Sequence, residues 1–372
     1  MSKYRVLIFA TNAPESGVTS VIRNLFGALN SDEFIFDIIS FSTNEKLKEV
    51  AKNFNGDFFP LDMFYLRHPK KFNEILRSIF GRCHYDTVAY NVSYLYTSSL
   101  YNIAKKYEVG SIVYYSHSSK IETNSSIKRR ILEAIHNKNR NKLKNADIVR
   151  VACSQKAGEW LYGTEVPFIM IKNGISTEGF SFSEDYRNEI RNELNLNNKK
   201  VIGNVGRLSY QKNQEFLIKA FALTHKLEPN SELIILGEGP DRDKLSELIK
   251  KLELEDSCRL LGNRNDINKI YSALDLFVLP SRFEGLPVSA IEAQDNGLPC
   301  LLADTISEDT RINDNVIFCP IESPERWGEE MSNYLKCGRQ DNASNKLSNE
   351  GWDIKSASQA LRTILISDEE EL

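Results

Sequence analysis

The sequence has no Cys-x-x-Cys pair: its six cysteines, Cys83, Cys153, Cys258, Cys300, Cys319 and Cys337, are scattered and lie mostly in or beside apolar runs. That spacing argues against a disulfide framework or a zinc site and predicts buried free thiols in a reducing compartment. No run approaches the roughly 18 consecutive apolar residues of a membrane span. The opening MSKYRVLIFATNAPESG holds a short apolar run that turns polar after Ala10, too brief for a secretory signal core, so the cytoplasm is the expected location. Nor is there an excess of either charge, with 47 Lys and Arg against 51 Asp and Glu, a net of -4. This balance leaves no global electrostatic footprint for nucleic acid, and no nucleic-acid partner is expected. Internal repeats and low-complexity tracts are also absent.

What is present is the composition of a soluble globular chain, 41% apolar and 26% charged over 372 residues. At about 150 residues per domain, this length suggests two domains. Short β-branched or aromatic runs at 5–10, 36–41, 87–90, 111–115, 147–152 and 168–171 alternate with longer stretches of helical period. A second series follows the polar stretch 181–200, at 201–205, 232–236, 258–261, 276–279, 300–302 and 316–318. The alternation reads as βαβ units, and the near-continuous apolar runs read as parallel strands covered on both faces. The predicted fold class is α/β, with two doubly wound Rossmann-like domains facing across a cleft. The first domain is expected over 1–172 together with a C-terminal helix at about 353–372, and the second over 173–352. The acidic tail 368–372 reads as a solvated terminus.

The most informative stretch is Leu279-Pro-Ser-Arg-Phe-Glu-Gly-Leu-Pro-Val-Ser-Ala-Ile-Glu-Ala293. A strand ends near Leu279, a loop carries Glu284 and Gly285, and Pro287 suits the first helical position because its missing N–H costs nothing there. Free N–H groups at such a helix start, with Leu286, Pro287 and Val288 around them, would receive an anion such as a nucleotide diphosphate. Glu292 lies eight residues beyond Glu284, about one and a half helical turns on, so the two carboxylates suit opposite ends of one extended ligand. A carboxylate also accepts two hydrogen bonds at once from vicinal hydroxyls. The residues alone equally admit a capping role for Glu284 and a surface charge at Glu292. Upstream, Gly203-Asn-Val-Gly-Arg-Leu-Ser-Tyr-Gln-Lys-Asn213 sets Arg207 and Lys212 just after a strand. Two fixed cations there would stabilise a pyrophosphate leaving group, while an isolated Arg and Lys would merely be solvated.

Together these segments resemble the signature of retaining GT-B glycosyltransferases of family 4, in particular the bacterial exopolysaccharide and capsule branch. The resemblance rests on Phe-Glu-Gly-Leu-Pro with Glu284 and Glu292, on Asp275-Leu-Phe-Val-Leu-Pro-Ser281 before it and Gly297-Leu-Pro299 after it, and on Arg207 with Lys212. It covers most of the chain. It implies that Gly206, Arg207 and Lys212 meet the donor diphosphate, that Glu284 holds donor-sugar hydroxyls and that Glu292 holds the ribose. Gly17, in Ser16-Gly17-Val18-Thr19, matches a glycine loop against the donor phosphates, although many relatives carry a second glycine where Ser16 stands. His117 matches the histidine beside the transferred sugar. Gly237 lies in a loop of close backbone approach, and Asn263 and Arg264 fall where relatives hold the base through main-chain groups. Asn173-Gly174-Ile175 resembles the turn into the second domain, with Ser176 in place of the usual Asp.

The implied activity is transfer of a sugar from a nucleotide-diphosphate donor, taken as a UDP-sugar, to a lipid-linked oligosaccharide or glycan acceptor in surface-polysaccharide assembly. By the same resemblance the departing phosphate serves as base and no protein nucleophile is needed. Neither a cofactor nor a catalytic metal is expected. Asp241-Arg242-Asp243 copies an Asp-x-Asp metal motif, but two acids at a helix start are explained by the helix dipole. Gly237-x-Gly239 lacks a third glycine, since Arg242 stands there, so the dinucleotide fingerprint is missing. Between Lys120 and Arg150 nine basic residues face three acids, with Arg67, Lys70 and Lys71 adding charge near Phe64, Tyr65 and Phe72. That stretch suits either an anionic membrane surface, peripheral at its inner face, or a solvated helix. A non-catalytic nucleotide-sugar-binding subunit is the alternative function. A GT-B epimerase would need added acids and bases that the sequence does not display.

Overall fold

The computed structural model describes residues 3–10, 17–41, 43–61, 65–123 and 125–366. Ser16, Phe64 and the acidic tail therefore lie outside the described residues. The chain divides into two compact units, 1–174 with 354–372, and 175–353. Each is built on one wholly parallel sheet, as expected of strands that alternate with helices.

The first sheet has seven strands: β1 (Tyr4–Ala10), β2 (Phe34–Ser40), β3 (Phe58–Pro60), β4 (Thr87–Val92), β5 (Ser111–Ser116), β6 (Val149–Ala152) and β7 (Ile169–Met170), in the order β3-β2-β1-β4-β5-β6-β7. The second has six: β8 (Lys200–Val205), β9 (Ser231–Leu236), β10 (Cys258–Gly262), β11 (Leu276–Leu279), β12 (Cys300–Ala303) and β13 (Val316–Cys319), in the order β10-β9-β8-β11-β12-β13. Only β3 had no counterpart in the sequence reading; three residues at a sheet edge carry too little pattern to register. Central strands are sealed on both faces, so Val6, Leu7 and Ile8 in β1 and Leu276 to Leu279 in β11 have no measurable exposure. In each sheet the order reverses beside its first strand, between β1 and β4 and between β8 and β11. Crevices at the carboxyl ends of those strand pairs are where doubly wound sheets receive ligands.

The chain passes between units at two adjoining points. Ile175 pairs with Asp353 in a parallel bridge, and the Ile175 N–H donates to Trp352 O at 2.9 Å. Beyond that point helix Ile354–Ile366 buries Ala357, Leu361, Ile364 and Leu365 at helical spacing and packs on helix Gly17–Gly27 of the first unit. Thr87 Oγ1 donates to Leu365 O at 2.9 Å, and Arg362 Nε to Glu33 at 2.6 Å.

In the second unit Asp275, at the foot of β11, accepts from Arg187 and Arg191 at 2.7 Å each and from the Val201 N–H at 2.8 Å. These bonds tie helix Glu184–Glu193 to the two strands that flank the switch point. All six cysteines are free; Cys153, Cys258, Cys300 and Cys319 are buried, but Cys337 is exposed and departs from the expectation of buried thiols.

Candidate functional site

The loops that follow β8 and β11 rise beside each other because those strands are neighbours in the sheet. After β8 the backbone turns at Gly206, and a Cβ there would stand 3.0 Å from Lys212 Cε, so the glycine leaves room for the lysine stem. Asn213 closes the loop with a left-handed φ of 58°, a conformation asparagine tolerates, and helix Gln214–Leu227 begins at once. Its amide Nδ2 donates to Pro280 O in the opposite loop at 3.1 Å. Lys212 Nζ meets Glu284 Oε1 at 2.7 Å, with side-chain exposures of only 16% and 7%. The sequence placed these two as independent ligand contacts; the structure makes them an ion pair across the switch point.

Gln211, which the sequence reading passed over, holds the same carboxylate from its other side. Its Nε2 donates to Glu284 Oε2 and to Phe283 O, both at 3.1 Å, while its carbonyl accepts the Arg282 N–H at 2.8 Å. Arg282 in turn stacks its guanidinium 4.6 Å over the Tyr210 ring. Arg207 is partly buried, and among the described residues its guanidinium has no hydrogen-bond or ion-pair partner. The loop from Phe283 to Pro287 is buried, and Gly285 and Leu286 both take part in interactions there. Helix Val288–Asp295 begins one residue later than predicted, with Pro287 as its N-cap.

Glu292 sits partly buried on that helix and accepts Tyr271 Oη at 2.9 Å; the same hydroxyl lies 3.0 Å from Ser289 O. Tyr271 is on helix Ile267–Ala273, and no pattern in the sequence marked it as a neighbour of Glu292. Gly237, after β9, has φ +125° and would press a Cβ to 2.2 Å from Gly206 O, so it secures the turn beneath Arg207. Its N–H donates to Gly262 O at 2.8 Å. Beyond Gly262, Asn263 is exposed, whereas Arg264 is committed to Asp266 at 2.7 and 2.8 Å and to Glu193 at 2.8 Å. Asp241 stands at the N-cap position of helix Arg242–Lys251 without a side-chain capping bond, and Asp243 occupies the first turn. Among the described residues no group of three or more His, Cys, Asp or Glu is placed to hold a metal ion.

In the first unit, Gly17 opens helix Gly17–Gly27 and is exposed, with nothing among the described residues within 4 Å of an added Cβ. His117 follows β5, and its N–H extends the ladder to Val92 O at 3.1 Å. Its ring is buried, with Nε2 2.9 Å from Asn91 Oδ1. Asn91 aligns with Ala10 across the β1/β4 reversal, so this hydrogen bond brings the His117 ring to the first sheet's switch point. An amide oxygen accepts, so Nε2 carries the proton and Nδ1 is a bare acceptor, buried without a partner among the described residues.

Burial pushes the His117 imidazole down to about 3. The other buried histidine, His136, is pushed down to about 4, first by burial and also by the nearby Arg140, against a partial lift from its bond to Trp160 O. Folded forms of both therefore bind fewer protons than the unfolded chain, whose histidines titrate near 6.5. Stability is fully present above that pH and is lost as pH falls towards 4, at up to about 1.4 kcal/mol per pH unit for each ring. Melting curves from pH 7.5 to 4.5 should show this slope, and His117→Gln should flatten it. An unchanged slope in that variant would exclude a neutral buried His117.

Residues 186–351 match the family model described as glycosyl transferases group 1. EpsF of Bacillus subtilis (strain 168) is 25% identical over 313 residues, covering 82% of this chain and 81% of that protein. The UDP-Gal:alpha-D-GlcNAc-diphosphoundecaprenol alpha-1,3-galactosyltransferase of Escherichia coli is 35% identical over 148 residues, 39% of this chain and 38% of its own length. The lipopolysaccharide core biosynthesis mannosyltransferase LpsB of Rhizobium meliloti (strain 1021) is 31% identical over 160 residues, 41% of this chain and 44% of its own length. The crystal structure of Anabaena HepE in complex with UDP and glucose superposes with a TM-score of 0.76 at 17% identity, covering 97% of this chain and 99% of that one. Residues 186–351 thus resemble the group 1 glycosyl transferases, and the two doubly wound sheets share the fold of the HepE structure.

Proposed function

We propose that the protein is a retaining, metal-independent glycosyltransferase that moves a sugar from a UDP-sugar to a lipid-linked oligosaccharide or glycan acceptor in surface-polysaccharide assembly. The observation that carries this reading is the Lys212–Glu284 pair, held across the loops after β8 and β11. Lys212 has three N–H donors and gives one to Glu284, and no other partner is found among the described residues. Its remaining donors and the Arg207 guanidinium would stabilise the departing diphosphate, while Glu284 would accept sugar hydroxyls and Glu292 the ribose. The bare Nδ1 of His117, neutral at pH 7, would accept a hydroxyl rather than donate a proton. In the transfer the acceptor oxygen bonds to the anomeric carbon. The bond from that carbon to phosphate breaks with its electron pair going to the diphosphate, which takes the acceptor's proton. The UDP assignment draws support from the UDP bound to HepE and from the donor in the Escherichia coli relative's name. A thermal-shift panel of UDP-, GDP- and other nucleotide sugars tests it. The matching donor at 100 times its dissociation constant should add about 2.7 kcal/mol of stability. A larger response to a GDP-sugar would overturn the nucleotide.

A membrane surface is the further partner proposed, on the strength of helix Ser126–Leu143. This helix buries Leu132, His136, Asn139 and Leu143, while Ile127 and Ile131 stand 72% and 57% exposed on the other side. Lys138 and Lys142 share that outer face at helical spacing and are exposed, and Glu133 is the helix's one acid. Isoleucine amid cations suits shallow insertion among anionic headgroups. No helix of the described residues is long and apolar enough to cross a membrane. The protein should sediment with anionic vesicles at low salt, and Ile127→Asp with Ile131→Asp should weaken this about 10-fold or more. No sedimentation of the native chain would sink the idea.

A further inference from the structure

Gln211 stands between the two loops that carry the Lys212–Glu284 pair and joins them by three hydrogen bonds from two of its groups. Its carbonyl takes the Arg282 N–H, and its amide Nε2 reaches both Phe283 O and Glu284 Oε2. A primary amide nitrogen has two hydrogens, and these two contacts use both. The Glu284 carboxylate is therefore divided, with Oε1 on the Lys212 ammonium and Oε2 on a neutral amide. The division has two consequences. The carboxylate plane is fixed from two sides, so its orientation towards any hydroxyl does not depend on the flexible lysine stem. And Lys212 meets the carboxylate through Oε1, which leaves two of its three N–H donors for other acceptors.

We infer that Gln211 is a positioning residue for recognition of the donor sugar, acting through Glu284 and not on the diphosphate. This rests on the proposed reading of Glu284 as the group that accepts sugar hydroxyls. A loss at Gln211 should then appear in the part of donor affinity contributed by the sugar, whereas a loss at Lys212 should appear with UDP alone. Gln211→Met keeps the side chain's length and removes its donor. Gln211→Glu sets a second carboxyl against Glu284, and two carboxyls at hydrogen-bond distance share one proton, which restores the bond at low pH and loses it as pH rises.

The test is calorimetric binding of UDP, UDP-glucose and UDP-galactose to the native chain, Gln211→Met, Gln211→Glu and Lys212→Ala. Gln211→Met should leave UDP affinity near the native value and weaken binding of the preferred UDP-sugar by about 10- to 100-fold, as expected for a lost hydrogen bond to a charged group. Gln211→Glu should bind that sugar nucleotide closer to native strength at pH 5.5 than at pH 8. Its deficit would be equal at both values if Gln211 merely braced the loops. The inference is overturned if Gln211→Met weakens UDP and UDP-sugar alike, or neither. If the native chain binds UDP but gains nothing from either sugar, the reading of Glu284 fails and takes this inference with it. If the native chain binds none of the three, the UDP-donor reading itself has failed. Should Gln211→Met not fold, the pH dependence of Gln211→Glu decides alone.

Discussion

Lys212→Ala is expected to lower sugar transfer about 1,000-fold and to destabilise the second unit by about 3 kcal/mol, because it removes a diphosphate donor and the close counter-charge of a buried carboxylate. Glu284 is 7% exposed at the side chain and has Lys212 as a cation at 2.7 Å, so truncating the lysine takes a close counter-charge from a buried carboxylate. Arg207→Ala should behave differently. Its guanidinium pairs with nothing among the described residues, so turnover should fall about 100-fold while the melting temperature stays within a degree or so. Adding Glu284→Ala to Lys212→Ala should recover much of the stability, since the buried charge is then removed as well, but none of the activity. Denaturant melts of the three variants, with initial rates on the donor chosen by the thermal-shift panel, check all of this. Equal stability losses for Lys212→Ala and Arg207→Ala would show that the ion pair does not exist in solution.

Gly237→Ala should damage the site loops through a single methyl. At φ +125° an L side chain is strained, and its Cβ would lie 2.2 Å from Gly206 O, a backbone atom that cannot swing aside. Either the loop after β9 moves, which breaks the bond from the Gly237 N–H to Gly262 O, or the loop after β8 moves and carries Arg207 with it. A loss of about 3 kcal/mol is expected, equivalent to roughly 6–12 °C in the melting temperature of a unit this size, together with weakened binding of UDP. Gly17→Ala is the control, because nothing among the described residues stands within 4 Å of its added methyl. A Gly237→Ala protein that melts with the native chain would mean that these loops are not packed as described.

The two sheets were legible because parallel strands buried on both faces need unbroken apolar runs, and twelve such runs stand out between polar helices. β3 was not, since Phe58–Pro60 at an edge makes too short a run, and Pro287 fell one residue from its expected place because helix starts are set by local backbone geometry. Within the site, Glu284, Glu292, Arg207 and Lys212 could be picked out because their setting after two strands resembles a family signature, whereas the residues alone equally admitted capping and solvated roles. Their mutual arrangement could not. Gln211, Asn91 and Tyr271 are ordinary residues, and their roles as hydrogen-bond partners of Glu284, His117 and Glu292 come from elements 21 to 73 positions apart in the chain.

Periodicity and residue type thus determined, without coordinates, that this chain makes two doubly wound units and which charges rise at strand ends, because both are local consequences of alternation and burial. Only the tertiary structure decided that Lys212 and Glu284 are partners, that Arg207 is left unpaired among the described residues and that His117 is neutral. Pairing and desolvation depend on distances between segments far apart in sequence, and no local pattern encodes them.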